Sequence, residues 1–422
     1  MNLEARTAIE ALRAGVPNRA AVRLMGTASS GIEQAFEELL GAASAEGPGT
    51  GTGTDKVAAR PGLGIAGGFG SGKSHMLTYL GEVARTHNFV VSRVVVSKET
   101  PLADPARMFE AAMRSAALPD RNDDALSGAL AALRAAPERF DALEAAVRAP
   151  DSHLAPIFAA ILFLLRRPTL PAETTRRCER FLAGGRMAST VFRQALAGVG
   201  APRMFDVKMP AAAELAAQRI RFAGLLFRTA GYAGWCLLLD EVELIGRYTP
   251  LQRGIAYAWL ATWLGLEGAV PFPGVATVYA ITDDFVAAVI EQRQDTERLS
   301  ERLLLKGREQ ESLMAVAAIR HIEDVVRRHR LPLPGLEELT RDCRRLREIY
   351  TGAYDWAAPE LAPGERTATR TMRQYVKAWI TQWDMQRLGD AGGAIVEETV
   401  RSNYEEDEGL GAPQVPPDDE SG

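Results

Sequence analysis

The chain has 422 residues, 47% hydrophobic and 24% charged, the balance of an ordinary globular protein with room for two or three domains. Its formal net charge of −5 comes from the C-terminus: the last eighteen residues hold seven carboxylates and no base, and the body sets 49 basic residues against 47 acidic ones. A near-neutral body excludes nucleic-acid binding by bulk charge while leaving room for a local patch, and three scattered cysteines without a CxxC pair exclude a disulfide framework.

In chain order, EARTAIEALRAG predicts a helix with Ala8, Ile9 and Leu12 on one face and Gly15 as its C-cap. This charged N-terminus lacks the apolar core of a signal peptide, so a cytoplasmic protein with no membrane association is expected. A further helix, GIEQAFEELLGAA, completes an N-terminal helical segment over residues 1–46. The Gly/Thr/Pro-rich stretch 47–62 reads as a flexible loop. The pattern then turns to strand, glycine-rich turn and helix in LGIAG, GFGSG and KSHMLTYLGEVARTH. Next comes FVVSRVVVS, a buried parallel strand whose apolar run is broken by Ser92 and Arg93. Residues 105–215 are Ala-, Leu- and Arg-rich, helical in period and interrupted by prolines. Within them LAPIFAAILFLLRR is too short to span a bilayer and predicts a buried helix. Strands return at WCLLLDE and VATVYAIT. The expected organisation is a parallel-sheet α/β core in two parts, 63–104 and 216–294, split by a helical insertion at 105–215. A C-terminal helical, lid-like domain at 295–400 and an acidic, disordered tail at 401–422 complete it.

The segment from Gly67 to Ser74 fits GxxxxGK(S/T), the Walker A pattern of P-loop NTPases, without a mismatch. Gly67, Gly68, Phe69, Gly70, Ser71 and Gly72 form the cradle, in which backbone N–H groups converge on phosphate and glycines permit the close approach. Lys73, Ser74 and His75, which open the helix that follows, complete the expected nucleotide-binding set. Lys73 is expected to reach the β- and γ-phosphates, and Ser74 to ligate Mg²⁺. In CLLLDEVELIG an apolar strand ends on Asp240 and Glu241, a Walker B pattern. Asp240 is assigned to the metal and Glu241 to the base that activates water. The acidic doublet favours the NTPase division that includes AAA+ proteins, with ATP as nucleotide. Thr282 ends a later strand, where it could sense the γ-phosphate. Arg247, Arg298, Arg302, Arg370 and Arg373 are candidate transition-state arginines. Arg366, Arg370 and Arg373 fall at i, i+4 and i+7, a face that addresses the nucleotide or simply water.

Taken together, RTAIEALRAGVPNRAAVRLMG, GGFGSGKSHML and LLLDEVELIGRYTPLQRGIAY resemble the BrxD-like ATP-binding proteins of bacterial BREX phage-defence systems, from about residue 6 to 390. The resemblance implies an AAA+, origin-recognition-like fold and a role beside a DNA methyltransferase, a phosphatase-like protein and large ATPases. Its nucleotide residues carry over to Gly67, Gly72, Lys73, Ser74, Asp240 and Glu241. The expected function is ATP hydrolysis that drives or gates a defence assembly on DNA, with duplex DNA and a homo-oligomer as further candidate partners. Two other readings stay open: a nucleotide-dependent scaffold with negligible turnover, and a DNA-loading AAA+ ATPase outside defence.

Overall fold

Nearly continuous apolar runs give four parallel strands in the computed structural model: β1 (Leu63–Ala66), β2 (Phe89–Val95), β3 (Gly234–Asp240) and β4 (Val275–Ile281). Their order across the sheet is β1-β4-β3-β2. The structure describes residues 2–16, 18–27, 30–45, 62–121, 124–270, 272–364, 370–389, 403–407 and 409–410. The loop at 47–62 therefore lies outside the described residues except for Gly62.

Helices α1 (Leu3–Ala14), α2 (Arg19–Met25) and α3 (Ser30–Ala45) precede β1, and α4 (Lys73–Thr86) joins β1 to β2. Between β2 and β3 come α5 (Pro105–Ser115), α6 (Ala125–Ala135), α7 (Pro137–Arg148), α8 (Pro156–Leu165), α9 (Ala172–Leu182), α10 (Ser189–Gly198) and α11 (Ala212–Thr229). Helix α12 (Pro250–Leu264) joins β3 to β4, and α13 (Asp295–Leu304), α14 (Glu309–Arg328), α15 (Leu336–Tyr354) and α16 (Met372–Leu388) follow. Local chemistry sets many of these ends. Asn2 caps α1 through its side chain, and Gly15 closes that helix at φ 70°.

Alternation along each strand feeds two cores. On β3, Cys236 and Leu238 face α3 and α4, while Trp235, Leu237 and Leu239 join the larger core built with α5, α11 and α12. That core continues into the insertion through Phe158, Phe181 and Phe192. Helix α8 lies inside it, and no described helix is long and apolar enough to cross a membrane. Beyond β1, a single parallel rung covers the sheet edge: Ala66 N–H donates to His329 O (3.0 Å) and Leu331 N–H to Ala66 O (2.8 Å). A third cluster joins α1 and α2 to α15 and α16 around Ile9, Tyr350, Trp379 and Trp383. Packing thus links the first and last helices, which the linear reading keeps in separate segments. Helices α12 and α13 are pinned by a buried pair in which Arg253 donates twice to Asp295 at 2.8 Å, with Tyr257 Oη donating at 3.2 Å.

The acidic tail corrects the sequence reading. Residues 403–407, part of the tail expected to be disordered over 401–422, lie against the end of the sheet. Tyr404 packs edge-on against Phe285, Asp407 pairs with Arg247, and Glu406 lies 3.4 Å from Arg253 and 3.3 Å from Arg293. Its carboxylates find arginines already placed by the core, a compensation that composition does not reveal. Residues 411–422 lie outside the described residues.

Candidate nucleotide site

β1 delivers the chain to the C-terminal edge of the sheet, where open α/β sheets hold their ligands. There residues 67–72 turn back into α4. Gly70 and Gly72 take φ of 75° and 105°, a left-handed backbone that glycine adopts without strain. At Gly70 space also decides, since a Cβ would lie 2.7 Å from Thr371 Oγ1. Among the described residues no side chain caps the N-terminus of α4, so its first N–H groups and the positive end of its dipole face the loop. Ser71 Oγ is buried and has no hydrogen-bond partner among the described residues. Lys73 Nζ folds back onto the loop, donating to Gly67 O (2.8 Å) and Gly68 O (3.3 Å) with the Phe69 ring 5.4 Å away. Open N–H donors, an orphaned hydroxyl and a buried ammonium together fit a phosphate group. His75 points elsewhere: its Nε2 lies 3.0 Å from Gly26 O, and burial pushes its pKa down, so its ring ties α4 to the N-terminal helices.

Asp240 ends β3. Because β4 lies between β1 and β3, this carboxylate stands two strand spacings, about 10 Å, from the strand that carries the loop. Its Oδ2 accepts from Arg93 Nη2 at 2.6 Å, and its Oδ1 from the Glu241 N–H at 3.1 Å. Arg93 also donates to Thr78 Oγ1 at 2.8 Å, which ties β2, β3 and α4 together. Glu241 has φ 58°, a left-handed conformation that costs a non-glycine residue about 1–2 kcal/mol. Strain held at a strand end is a mark of functional sites. Partial desolvation, and then the Asp240 charge, raise the Glu241 pKa, the direction a proton acceptor needs.

The 3-10 turn Val242–Arg247 then aims a third carboxylate inward. Glu243 is 9% exposed, and its Oε1 lies 4.0 Å from Lys73 Nζ. Its Oε2 is buried without a hydrogen-bond partner among the described residues. Burial, only partly offset by Lys73, pushes its pKa up to about 7.

Thr282 follows β4, and its Oγ1 lies 2.5 Å from Tyr404 Oη, which donates to Asp284 Oδ1 at 2.8 Å. The expected sensor position is therefore engaged by the C-terminal segment. The candidate arginines separate. Helix α16 starts at Met372 because Thr371 and Gln374 cap it reciprocally, so Arg370 precedes the helix and stacks on Tyr375 at 4.6 Å. Arg370 therefore shares no helical face with Arg373, and Arg366, the third member of the expected face, lies outside the described residues. Arg373 instead donates its backbone N–H to Gly70 O at 3.2 Å. Arg298 and Arg302 are exposed on α13, and Arg247 is held by Asp407.

Sequence reasoning missed Glu243, Arg93 and Tyr404. A charge inside a buried strand was the signal for Arg93, and the DExE spacing was one for Glu243. Tyr404 gave none beyond being an aromatic beside an acidic run.

A parallel sheet between helical layers, with a glycine loop entering a helix at its C-terminal edge, has the form of a P-loop-like α/β protein. Residues 2–133 match the family described as BREX system ATP-binding protein BrxC/D, and the match supports a BREX ATP-binding protein. The matched segment contains the loop and ends before Asp240. No curated protein and no solved structure matches the chain.

Proposed function

We propose that this chain is an ATPase subunit of a BREX phage-defence system, whose ATP binding and hydrolysis drive or gate a defence assembly on DNA. The observation that carries this reading is the uncapped α4 N-terminus with buried Lys73, set opposite carboxylates on the next strand but one. The intervening β4 and the rung at Arg330 support the AAA+-like division of P-loop NTPases. Loop N–H groups and Lys73 hold the phosphates, the ammonium exchanging its Gly67 and Gly68 carbonyls for phosphate oxygens. Among the described residues no three His, Cys, Asp or Glu side chains gather as a metal centre. Ser74 and Asp240 are the donors that would hold Mg²⁺, which supplies charge stabilisation to the phosphates. Glu241 takes the proton of the attacking water, Thr282 reads the γ-phosphate, and Arg370 is the lid-side arginine. The partners are the methyltransferase, phosphatase-like protein and large ATPase of the system, in the cytoplasm.

A second reading, a nucleotide-dependent scaffold, is favoured by one observation: Asp240 is held by Arg93 and Thr282 by Tyr404. ATP turnover measured with and without duplex DNA separates the two. The ATPase reading expects Lys73→Ala to lose ATP binding and Glu241→Gln to keep it while turnover falls roughly 10²- to 10⁴-fold. ATP binding without turnover in the wild type would favour the scaffold, and no ATP binding at all would overturn both.

A further inference from the structure

The near-neutral body hides a local imbalance. Between residues 166 and 208, nine Arg or Lys stand against three Asp or Glu, in a chain whose net charge is −5. A preference for Arg over Lys explains which base is used, not the shortage of acid. The few carboxylates there are occupied: Glu173 pairs with Arg176 and Arg177, Glu179 with Arg134, and Asp206 accepts from the Lys208 backbone N–H. Nearby Asp141 and Glu144 are taken by Arg166.

One corner of this region is ordered by stacking. Arg148, at the end of α7, lies over Phe205 at 5.4 Å. Phe205 packs on Phe163 of α8, with centroids 5.4 Å apart, and Arg167 lies over Phe163 at 4.4 Å. Arg203 and Lys208 flank Phe205 in the chain. All four bases are exposed, and among the described residues none of their side chains forms an ion pair or hydrogen bond. A guanidinium held over a ring spends one side on that contact and leaves its remaining N–H donors open to a partner, with part of its rotamer freedom already lost. That fork takes phosphate oxygens two at a time. Repeated phosphates, one charge per ~1.7 Å of duplex axis, suit a cluster of separate forks better than a lone carboxylate does.

We propose that this face of the helical insertion binds the phosphodiester backbone of DNA through Arg148, Arg167, Arg203 and Lys208. The surface lies on different elements from the nucleotide loop, and its assignment does not depend on the ATPase reading.

The test is fluorescence anisotropy of the full chain with a labelled 20-base-pair duplex, without nucleotide, over a range of salt. The triple variant Arg148→Gln, Arg167→Gln, Arg203→Gln should bind at least tenfold more weakly at about 0.1 M salt. Its log K against log salt slope should be shallower by about 0.9 for each phosphate that the variant no longer neutralises. Removing three charges at exposed Arg114, Arg327 and Arg328 should leave affinity and slope unchanged. Lys73→Ala should also bind the duplex as the wild type does, which separates this surface from the nucleotide site. Arg203→Glu alone repeats the test without disturbing the ring stack, and a thermal melt checks that each variant is folded. Weaker binding of a single strand by the same variants, with a slope change near 0.7 per phosphate, would equally support a backbone site. Absence of DNA binding by the wild type, equal weakening in both triples, no effect of Arg203→Glu, or binding to polyglutamate in preference to DNA would each overturn the proposal.

Discussion

Replacing Glu243 with Gln should tighten ATP binding, and the gain should grow with pH. In the structure the Glu243 carboxyl is buried 4.0 Å from the Lys73 ammonium, and burial lifts its pKa from 4.5 to about 7. When phosphates draw Lys73 away, the carboxylate loses its nearest counter-charge and faces new negative charge, so nucleotide should bind best to the protonated form. Below about pH 6 the carboxyl is already neutral and costs little. At pH 8 a group of pKa about 7 is protonated in roughly one molecule in ten, which weakens binding about tenfold, or about 1.4 kcal/mol. Calorimetric titration at pH 6, 7 and 8, in buffers of different ionisation enthalpy, measures the affinity and the proton taken up. The wild type should take up part of a proton near pH 8 and the Gln variant correspondingly less, since ATP's own titration is common to both. Stability has the same sign: a raised carboxyl pKa favours the native state below 4.5, and that advantage is lost as pH rises through about 7. Identical pH dependence of ATP affinity in the two proteins would refute the coupling of Glu243 to the phosphates.

Two further outcomes concern the frame around the site. Tyr404→Ala should destabilise the fold by about 1–2 kcal/mol, read as a lower thermal midpoint, because its ring fills the space beside Phe285 and Gly246; an unchanged melt would mean that the segment does not dock. Arg253→Ala should destabilise by roughly 3–5 kcal/mol because it leaves Asp295, 0% exposed, without its partner; Arg253→Met with Asp295→Leu should recover most of the loss in thermal unfolding.

The elements with strong local signatures were legible in the sequence. The glycine loop, the apolar strands and the helical period of the insertion all depend on neighbours within a few residues. What escaped depends on distance along the chain. Arg93 and Asp240 are separated by 147 positions, and only the pairing of β2 with β3 brings them together. Glu243 was visible as a residue but not as a neighbour of Lys73, because the turn after Glu241 breaks the strand alternation that would have aimed it. Thr371 and Gln374 carry a capping pattern, yet a continuous helical reading through Arg366 and Arg370 overrode it. The acidic segment failed for a different reason: its half-exposed carboxylates pair with Arg247, Arg253 and Arg293, whose positions only the fold supplies.

The bond from Arg373 N–H to Gly70 O gives the loop mechanical reach. It joins the glycine loop to the first turn of α16, a rod of 17 residues and thus about 25 Å long. That rod is embedded with α1, α2 and α15 in a core of its own, apart from the sheet. If a phosphate accepting from the loop N–H groups shifts the Gly70 peptide, the displacement acts on the near end of the rod. A tilt of about 10° would then carry its far end, at Leu388, through roughly 4 Å of arc. Loop movements too small to disturb the sheet would in this way be displayed, enlarged, by helices from both halves of the sequence, on a surface where another subunit could feel them.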